Sequence, residues 1–149
     1  MYGGTYIMMM RTDRSLLKVI LLSIITFGIY GIYFWYKFSV DMNIVCNGDG
    51  KHTRGILARI IFSMLTFGIY EFVWMYGVGE RIYVNCQKKH IVNNTNGTSV
   101  LLWYILGSFI IVGPFVAMHQ MIQGLNDISN VFNTYGNGPV VNVNVNINR

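Results

Sequence analysis

Few residues in this chain have a type and spacing that could do chemistry, and Glu71 is the first of them. It is the one acidic residue inside a long apolar run, three positions after Gly68. A charge at the centre of a bilayer costs on the order of 2.5–3.5 kcal/mol, so such a residue is usually functional or paired. One interpretation is an ion or proton path. The simpler one is a protonated or interfacial carboxyl group bonded to a Tyr or Thr.

A second candidate site combines two cysteines with two histidines. The four residues are Cys46, His52, Cys86 and His90. They could form a Cys2His2 zinc site between two loops, but their C-x5-H and C-x3-H spacings differ from those of a zinc finger. No C-x-x-C pair occurs either. We therefore expect reduced, unliganded cysteines, with no metal and no cofactor.

The loop after the first apolar run is rich in Asp, Asn and Gly. Residues 41–50 faintly resemble a calcium loop but lack its twelve-residue acidic pattern. The sequence G-D-G-K at 48–51 lacks the spacing of a phosphate-binding loop, so a polar turn explains these residues better. The chain also has no Ser/His/Asp set and no paired carboxylates in one segment, and we expect that it is not an enzyme.

The segments that carry these residues are very apolar. Hydrophobic residues make up 53% of the 149 residues and charged residues only 11%, against roughly 25% charged residues in a globular protein. The apolar residues are concentrated in three runs, at 19–36, 60–76 and 100–118. As a helix, the first run is about 27 Å long, close to the hydrocarbon thickness of a bilayer. The composition therefore predicts an integral membrane protein.

The apolar runs belong to an internal repeat of about 40 residues. Shifting the chain by 40 aligns residues 14–46 with 54–86 and gives 11 identities in 33 positions, including T-F-G-I-Y. A shift of 85 aligns a degenerate third copy. We predict a repeat-built domain over 1–133, with units at 14–46, 54–86 and 99–131. A Gly/Asn-rich linker and arm follow at 134–149.

Each unit reads as an apolar helix, a glycine and a second helix rich in aromatic residues. The predicted membrane hinges are Gly28, Gly68 and Gly113 with Pro114. Three consecutive flanks of the units are basic, which conflicts with the positive-inside rule if each unit crosses the membrane once. Re-entrant hairpins place these flanks on one side, and simple spans are the alternative. Because a hairpin end exposes backbone groups to lipid, we expect the units to pack on each other or on another subunit.

Two further groups of residues suggest contact with lipid or with an ion. Basic side chains beside the apolar runs are expected to contact anionic lipid headgroups. They are Lys18, Lys37, Arg54, Arg59, Lys88 and Lys89. In the third unit, polar residues recur at helical spacing, which indicates an interfacial amphipathic helix or the lining of a path. The possible ion path comprises Glu71, Gln120, Gln123 and Asn126.

The C-terminal segment alternates strictly between β-branched residues and asparagine. Its apolar positions are Val141, Val143, Val145 and Ile147. Period-two alternation predicts a strand, and a lone strand must pair with another edge, which a neighbouring subunit can supply. We expect an assembly arm that links subunits, with a disordered tail as the alternative.

An ordered set of segments resembles one known family. The segments are R-S-L-L-K-V-I-L-L-S-I-I-T-F-G-I-Y-G-I-Y-F-W-Y-K at 14–37, D-M-N-I-V-C-N-G-D-G at 41–50, L-T-F-G-I-Y at 65–70, L-L-W-Y-I-L-G-S at 101–108 and G-P-F-V-A-M-H at 113–119. Over about residues 5–133 the chain looks like the bacterial family called domain of unknown function 4234. The resemblance implies a bacterial multipass membrane protein and no particular activity. Some relatives carry an N-terminal cysteine-rich metal ribbon, which this chain lacks.

The predicted fold is an all-α integral membrane protein of three Gly-interrupted helical units with a short C-terminal strand. We expect it in the bacterial cytoplasmic membrane, with its basic loops in the cytoplasm. Its predicted role is structural: a homo-oligomer or higher assembly, without nucleic acid, that shapes the lipid bilayer through its hairpin units. A channel or transporter component is the alternative function.

Overall fold

A computed structural model of the protein describes residues 9–136, and within that range the regular structure is entirely helical. The helices form three hairpins, one for each repeat unit. Hairpin 1 comprises α1 (Leu16–Ile25) and α2 (Ile29–Val45), and hairpin 2 comprises α3 (Ile56–Leu65) and α4 (Ile69–Lys88). Hairpin 3 comprises α5 (Gly97–Ile105), a 3-10 helix (Leu106–Ile110) and α6 (Gly113–Tyr135).

The hairpins divide each apolar run into two shorter helices. The apolar first arms α1 and α3 have 10 residues each, and α5 has 9. The second arms are longer, but they carry charged and polar side chains in their later turns. Between residues 9 and 136, no helix combines the length and the apolarity needed to cross a membrane. The prediction of an integral, multipass membrane protein with transmembrane helices in the cytoplasmic membrane is therefore wrong.

The predicted C-terminal strand is not part of the described fold. No strand occurs among residues 9–136, which are all-α. The residues assigned to the arm lie outside the described residues. They are Val141, Val143, Val145 and Ile147.

The second arms of hairpins 1 and 2 pack side by side in the same direction. Near the turns, the rings of Trp35 and Trp74 meet edge to face, with their centroids 6.1 Å apart. Farther from the turns, Arg81 of α4 donates to the side chain of Asn43 in α2 at 2.6 Å. Two contacts at different heights fix the relative direction of α2 and α4. Both turns therefore lie at one end of the molecule, the turn end, and the opposite end is the base.

Hairpin 3 packs on hairpin 2 in the same orientation. Phe72 of α4 contacts Tyr104 of α5, with ring centroids 5.8 Å apart. Toward the base, α4 and α6 approach so closely that a Cβ on Gly124 would lie 2.4 Å from Ile82. These two contacts again lie at different heights, so the third turn also reaches the turn end.

The hydrophobic core lies in the half of the molecule nearer the base. Its fully buried members come largely from the second arms, and they include Met42, Val45, Ile82, Cys86, Met121, Ile122, Leu125 and Ile128. The repeat-equivalent residues Cys46, Cys86 and Val131 are all buried. Each copy therefore turns the same face of its second arm inward. At the other extreme, α3 contributes no buried residue.

Candidate functional site

Exposed large hydrophobic side chains gather at the turn end. We define the turn-end surface by exposed residues at the three chain reversals, which are Ile25, Phe27, Ile29, Leu65, Phe67, Ile69, Phe109, Ile110 and Ile111. Phe27, Phe67 and Phe109 are 97%, 99% and 87% exposed. Contiguous exposed apolar surface of this kind marks a site of contact with protein, ligand or membrane.

The T-F-G-I-Y sequence builds a turn that holds its phenylalanine outward. Phe27 and Phe67 both have φ 51°, and Gly28 and Gly68 both have φ 88°. The left-handed region is open to glycine, but it costs a residue with a Cβ roughly 1–2 kcal/mol. Both copies therefore keep a bulky, exposed aromatic residue in an unfavourable backbone conformation. Such local strain is concentrated at functional sites.

These turns satisfy backbone N–H donors through hydrogen bonds of their own. The hydroxyl of Thr26 donates to the carbonyl of Leu22 at 2.7 Å and accepts from the amide of Tyr30 at 2.9 Å. The amide of Gly28 donates to a carbonyl in the last turn of α1 at 2.7 Å. Thr66 makes the same two bonds in hairpin 2, at the same distances. These backbone donors therefore stay satisfied in an apolar medium.

The third hairpin reaches the turn end by a different route. Its chain reversal falls at 108–112 and includes Ile111 in the left-handed region, with φ 66°. Gly113 and Pro114, the predicted hinge, are the first two residues of α6. Gly113 packs against Gly107, and a Cβ on it would lie only 2.1 Å from the Cα of Gly107. The glycine pair lets α6 approach the 3-10 helix.

Side-chain character changes with distance from the turns. Tyr36 and Tyr76 are exposed at equivalent positions, about 12 Å along α2 and α4 from the turn glycines. Lys18 is exposed and Lys37 partly exposed, each at about 14–15 Å. Arg54 is exposed just before α3. Apolar, aromatic and basic groups follow one another in this order over about 15 Å along the hairpins, a distance equal to the hydrocarbon depth of one bilayer leaflet.

The other predicted headgroup contacts are placed differently. Arg59 pairs with Glu71 through two hydrogen bonds, one of them at 2.8 Å, and its guanidinium lies 4.0 Å over the Trp74 ring. Lys89 is buried, and this burial lowers its pKa. Lys88 is exposed, but it lies about 30 Å along α4 from the turn.

Three of the four residues of the possible ion path make separate side-chain contacts. Glu71 has the arginine partner described above, between the arms of hairpin 2. Gln120 accepts a hydrogen bond from a serine of α5 at 3.2 Å. Asn126 is buried at the base and accepts from Arg14 at 3.0 Å. Gln123 is half-buried on α6.

Two buried ion pairs fix the base, and neither follows from the sequence reasoning. Arg81 binds Asp49 at 2.7 and 3.1 Å, and both side chains are 3% exposed. Arg14 binds Asp41 at 2.7 Å. Asp41, Arg81 and Asn126 are related by the repeat shifts of 40 and 85. All three copies thus carry a polar residue at this repeat position. That pattern is the sequence signal that could have indicated a layer of polar contacts at the base.

The candidate Cys2His2 site is not assembled. Cys46 and Cys86 are buried, whereas His52 and His90 are exposed. Burial raises the pKa of the Cys46 thiol to about 12, so it is not a ready thiolate ligand. Within residues 9–136, no three His, Cys, Asp or Glu side chains come together in a way that could hold a metal ion.

The fold and its surface define a three-unit helical repeat protein with apolar hairpin ends. The family described as domain of unknown function 4234 matches residues 14–84 and, in a second alignment, residues 54–127. The two matches are offset by 54 − 14 = 40 residues, the period of the repeat. The chain belongs to this family, which confirms the resemblance drawn from the sequence. Neither a curated protein nor a solved structure matches the chain.

Proposed function

We propose that the protein attaches to one leaflet of a lipid bilayer by inserting the turn ends of its three hairpins. The observation that carries this proposal is the near-complete exposure of Phe27, Phe67 and Phe109 at one end of the molecule. The charged base stays in water, and no helix crosses the bilayer. A first arm of 10 residues reaches about 15 Å, which is the depth of one leaflet's hydrocarbon.

The apolar area at the turn end is large enough to contribute substantially to the free energy of membrane attachment. Removing a phenylalanine side chain from water stabilises by about 1.5–3 kcal/mol. The three exposed phenylalanines together therefore contribute on the order of 5–9 kcal/mol. A single apolar anchor gives only marginal membrane attachment. Three ends held on one rigid base act together, since the second and third insert at high effective concentration.

Two features lower the cost of placing these hairpins in lipid. The threonine hydroxyls at the turns satisfy backbone donors that lipid cannot. The charge of Glu71, close to its turn, is compensated by Arg59 within hairpin 2. A charge in hydrocarbon is tolerated when it is paired in this way. The pair thus supports insertion and leaves neither group as an uncompensated charge.

Insertion into one leaflet also supports a role in shaping membrane. The hairpins add volume to the leaflet they enter and none to the other. That asymmetry favours a membrane that is convex on the side that faces the base. We expect tighter attachment to small vesicles than to large ones of the same composition.

The proposal is tested by vesicle flotation. We would compare the wild type with the triple variant Phe27→Ser, Phe67→Ser and Phe109→Ser, on vesicles of phosphatidylcholine and phosphatidylglycerol. The control is Val92→Ser, because Val92 is 86% exposed but lies in the loop at the base. We expect the triple variant to lose at least about tenfold in apparent affinity, and the control to bind like the wild type. Equal binding by all three proteins would contradict the proposal.

Self-association, which the sequence predicts, is the other way to cover the turn-end surface. Sedimentation velocity without lipid separates the two. A dimer that the triple variant abolishes, together with absent vesicle binding by the wild type, would assign the surface to a second copy of the chain.

A further inference from the structure

A groove beside α4 joins the apolar turn end to a basic loop. The cavity measures about 420 Å³. Its wall toward the turn end includes Tyr70 and Val73, and its wall toward the base includes Lys51, His52 and Arg54. One cavity thus combines an apolar wall on α4 with the basic residues of the loop that precedes α3.

The basic loop is held in place through its backbone. Arg81 donates to the carbonyl of Lys51 at 2.8 Å. The amide side chain of Asn43 bonds the carbonyl and the amide of Thr53 at 2.9 and 2.8 Å. The carbonyl of Arg54 accepts from the indole of a tryptophan on α4 at 3.2 Å. These bonds fix the loop and leave the Lys51 and Arg54 side chains exposed.

The basic side chains of the groove carry positive charge that is not used in ion pairs. In the part of the chain that the structure describes, neither Lys51 nor Arg54 forms an ion pair. The Arg54 guanidinium lies 4.8 Å over the ring of Phe62, toward the turn end. Glu80, whose carboxylate accepts from the Gly97 amide of α5 at 3.2 Å, also lines the groove, and its one negative charge leaves a net positive charge beside Lys51 and Arg54. Lysine and arginine in this state are suited to a phosphate group.

We infer that the groove binds the headgroup of an anionic phospholipid, with Lys51 and Arg54 at the phosphate and the acyl chains leaving past Val73 and Tyr70. The inference rests on the proposed function, because the groove runs along the side of a hairpin that lipid would surround. Charge complementarity selects an anionic lipid over a zwitterionic one. The apolar wall, continuous with the turn end, selects a lipid over free phosphate.

Gly77 gives a direct way to block the groove. It lines the cavity, and a Cβ added to it would meet no atom within 4 Å. A leucine at this position occupies part of the groove, while α4 gains a better helix former than glycine. Alanine at the same position is the control for the backbone change. The exposed Lys88, on the same helix but outside the groove, provides the charge control.

The test is isothermal titration with dihexanoyl phosphatidylglycerol, below its micelle concentration, against dihexanoyl phosphatidylcholine. We expect saturable binding of the glycerol lipid, at least fivefold tighter than of the choline lipid. We expect Gly77→Leu and the pair Lys51→Ala with Arg54→Ala to lose this preference, and Gly77→Ala and Lys88→Ala to keep it. Equal affinity for the two lipids, or unchanged binding by a folded Gly77→Leu protein, would overturn the inference.

Vesicle flotation separates this inference from membrane attachment. If the wild type and Gly77→Leu float equally on vesicles with and without phosphatidylglycerol, the groove site fails and attachment through the turn ends stands. If the short-chain lipid binds with the expected variant pattern but no vesicle floats the protein, the site stands and the proposed attachment fails.

Discussion

Phe27 and Phe67 occupy equivalent positions in two turns of the same backbone geometry: each has φ 51°, and the glycine after each has φ 88°. The two residues are 40 positions apart. The repeat thus reproduces an outward-facing aromatic ring as well as a pair of helices. Since neither ring packs against the protein, the fold alone does not account for them. Their position at one end of the molecule is the basis for the proposed membrane attachment.

The turn geometry is tested by Gly68→Ala. At φ 88°, an alanine should lower the free energy of unfolding by about 1–2 kcal/mol. The control is Gly77→Ala, which has open space and lies within α4 and should stabilise by up to about 1 kcal/mol. Urea denaturation of both variants measures the difference. Stabilisation by both substitutions would show that the turn is not left-handed at Gly68.

The close packing of hairpin 3 is tested by Gly113→Ala. A Cβ there would lie 2.1 Å from the Gly107 Cα and 2.2 Å from the carbonyl oxygen of Trp103. Overpacking of this kind usually costs about 1–3 kcal/mol, so we expect a loss of that size in thermal unfolding. Gly77→Ala, where no atom lies within 4 Å inside α4, is expected to cause no such loss. A neutral Gly113→Ala would rule out the contact with Gly107.

The buried pair at the base is tested by Asp49→Asn. This change leaves the charge of Arg81 buried without its carboxylate, and we expect a loss of about 3–5 kcal/mol in the free energy of unfolding. Asp13→Asn is the matched control, because Asp13 and its partner Arg11 are 67% and 61% exposed and such pairs contribute at most about 1 kcal/mol. Similar losses for both variants would contradict the burial of the base pair.

The same pair predicts how stability depends on pH. Burial raises the pKa of Asp49, but hydrogen bonds from Arg81, the Lys51 amide and Asn85 outweigh it and hold this pKa below its usual value. Because the folded pKa is below the unfolded one, the stabilisation is present above about pH 4 and is lost as pH falls through the folded pKa. We expect the wild type to lose more stability than Asp49→Asn between pH 5 and pH 2.5, measured by urea unfolding. Parallel curves would remove Asp49 as the cause.

The sequence indicates the repeat, the family and the helical arms, because T-F-G-I-Y recurs and glycine is a strong boundary signal. The sequence misleads about the length of the helices. The apolar run at 19–36 has the composition of one long helix, but its reversal at Phe27 and Gly28 divides it. An apolar hairpin and an apolar span differ in the backbone angles of two residues, which hydrophobicity does not encode.

The contacts of the polar residues could not be predicted from the sequence, for a related reason. Glu71 in an apolar run is compatible with an ion path or with a bonded carboxyl group, and the sequence does not identify its partner Arg59, on the opposite arm of the same hairpin. Asp49 belongs to a loop that looks like an ordinary polar turn, yet its partner Arg81 lies on the next hairpin. Both pairs depend on how arms and hairpins pack, which spacing along the chain does not reveal.

The central claim, that the turn ends enter one leaflet, is tested most directly by a nitroxide label on Phe67→Cys. Cys46 and Cys86 are buried, and the raised pKa of Cys46 keeps it unreactive, so the new thiol is labelled selectively. Val92→Cys, at the base, is the control. On vesicles, we expect the label at 67 to become accessible to oxygen and shielded from a water-soluble nickel complex, while the label at 92 stays accessible to nickel. Equal nickel accessibility at 67 with and without vesicles would contradict the account.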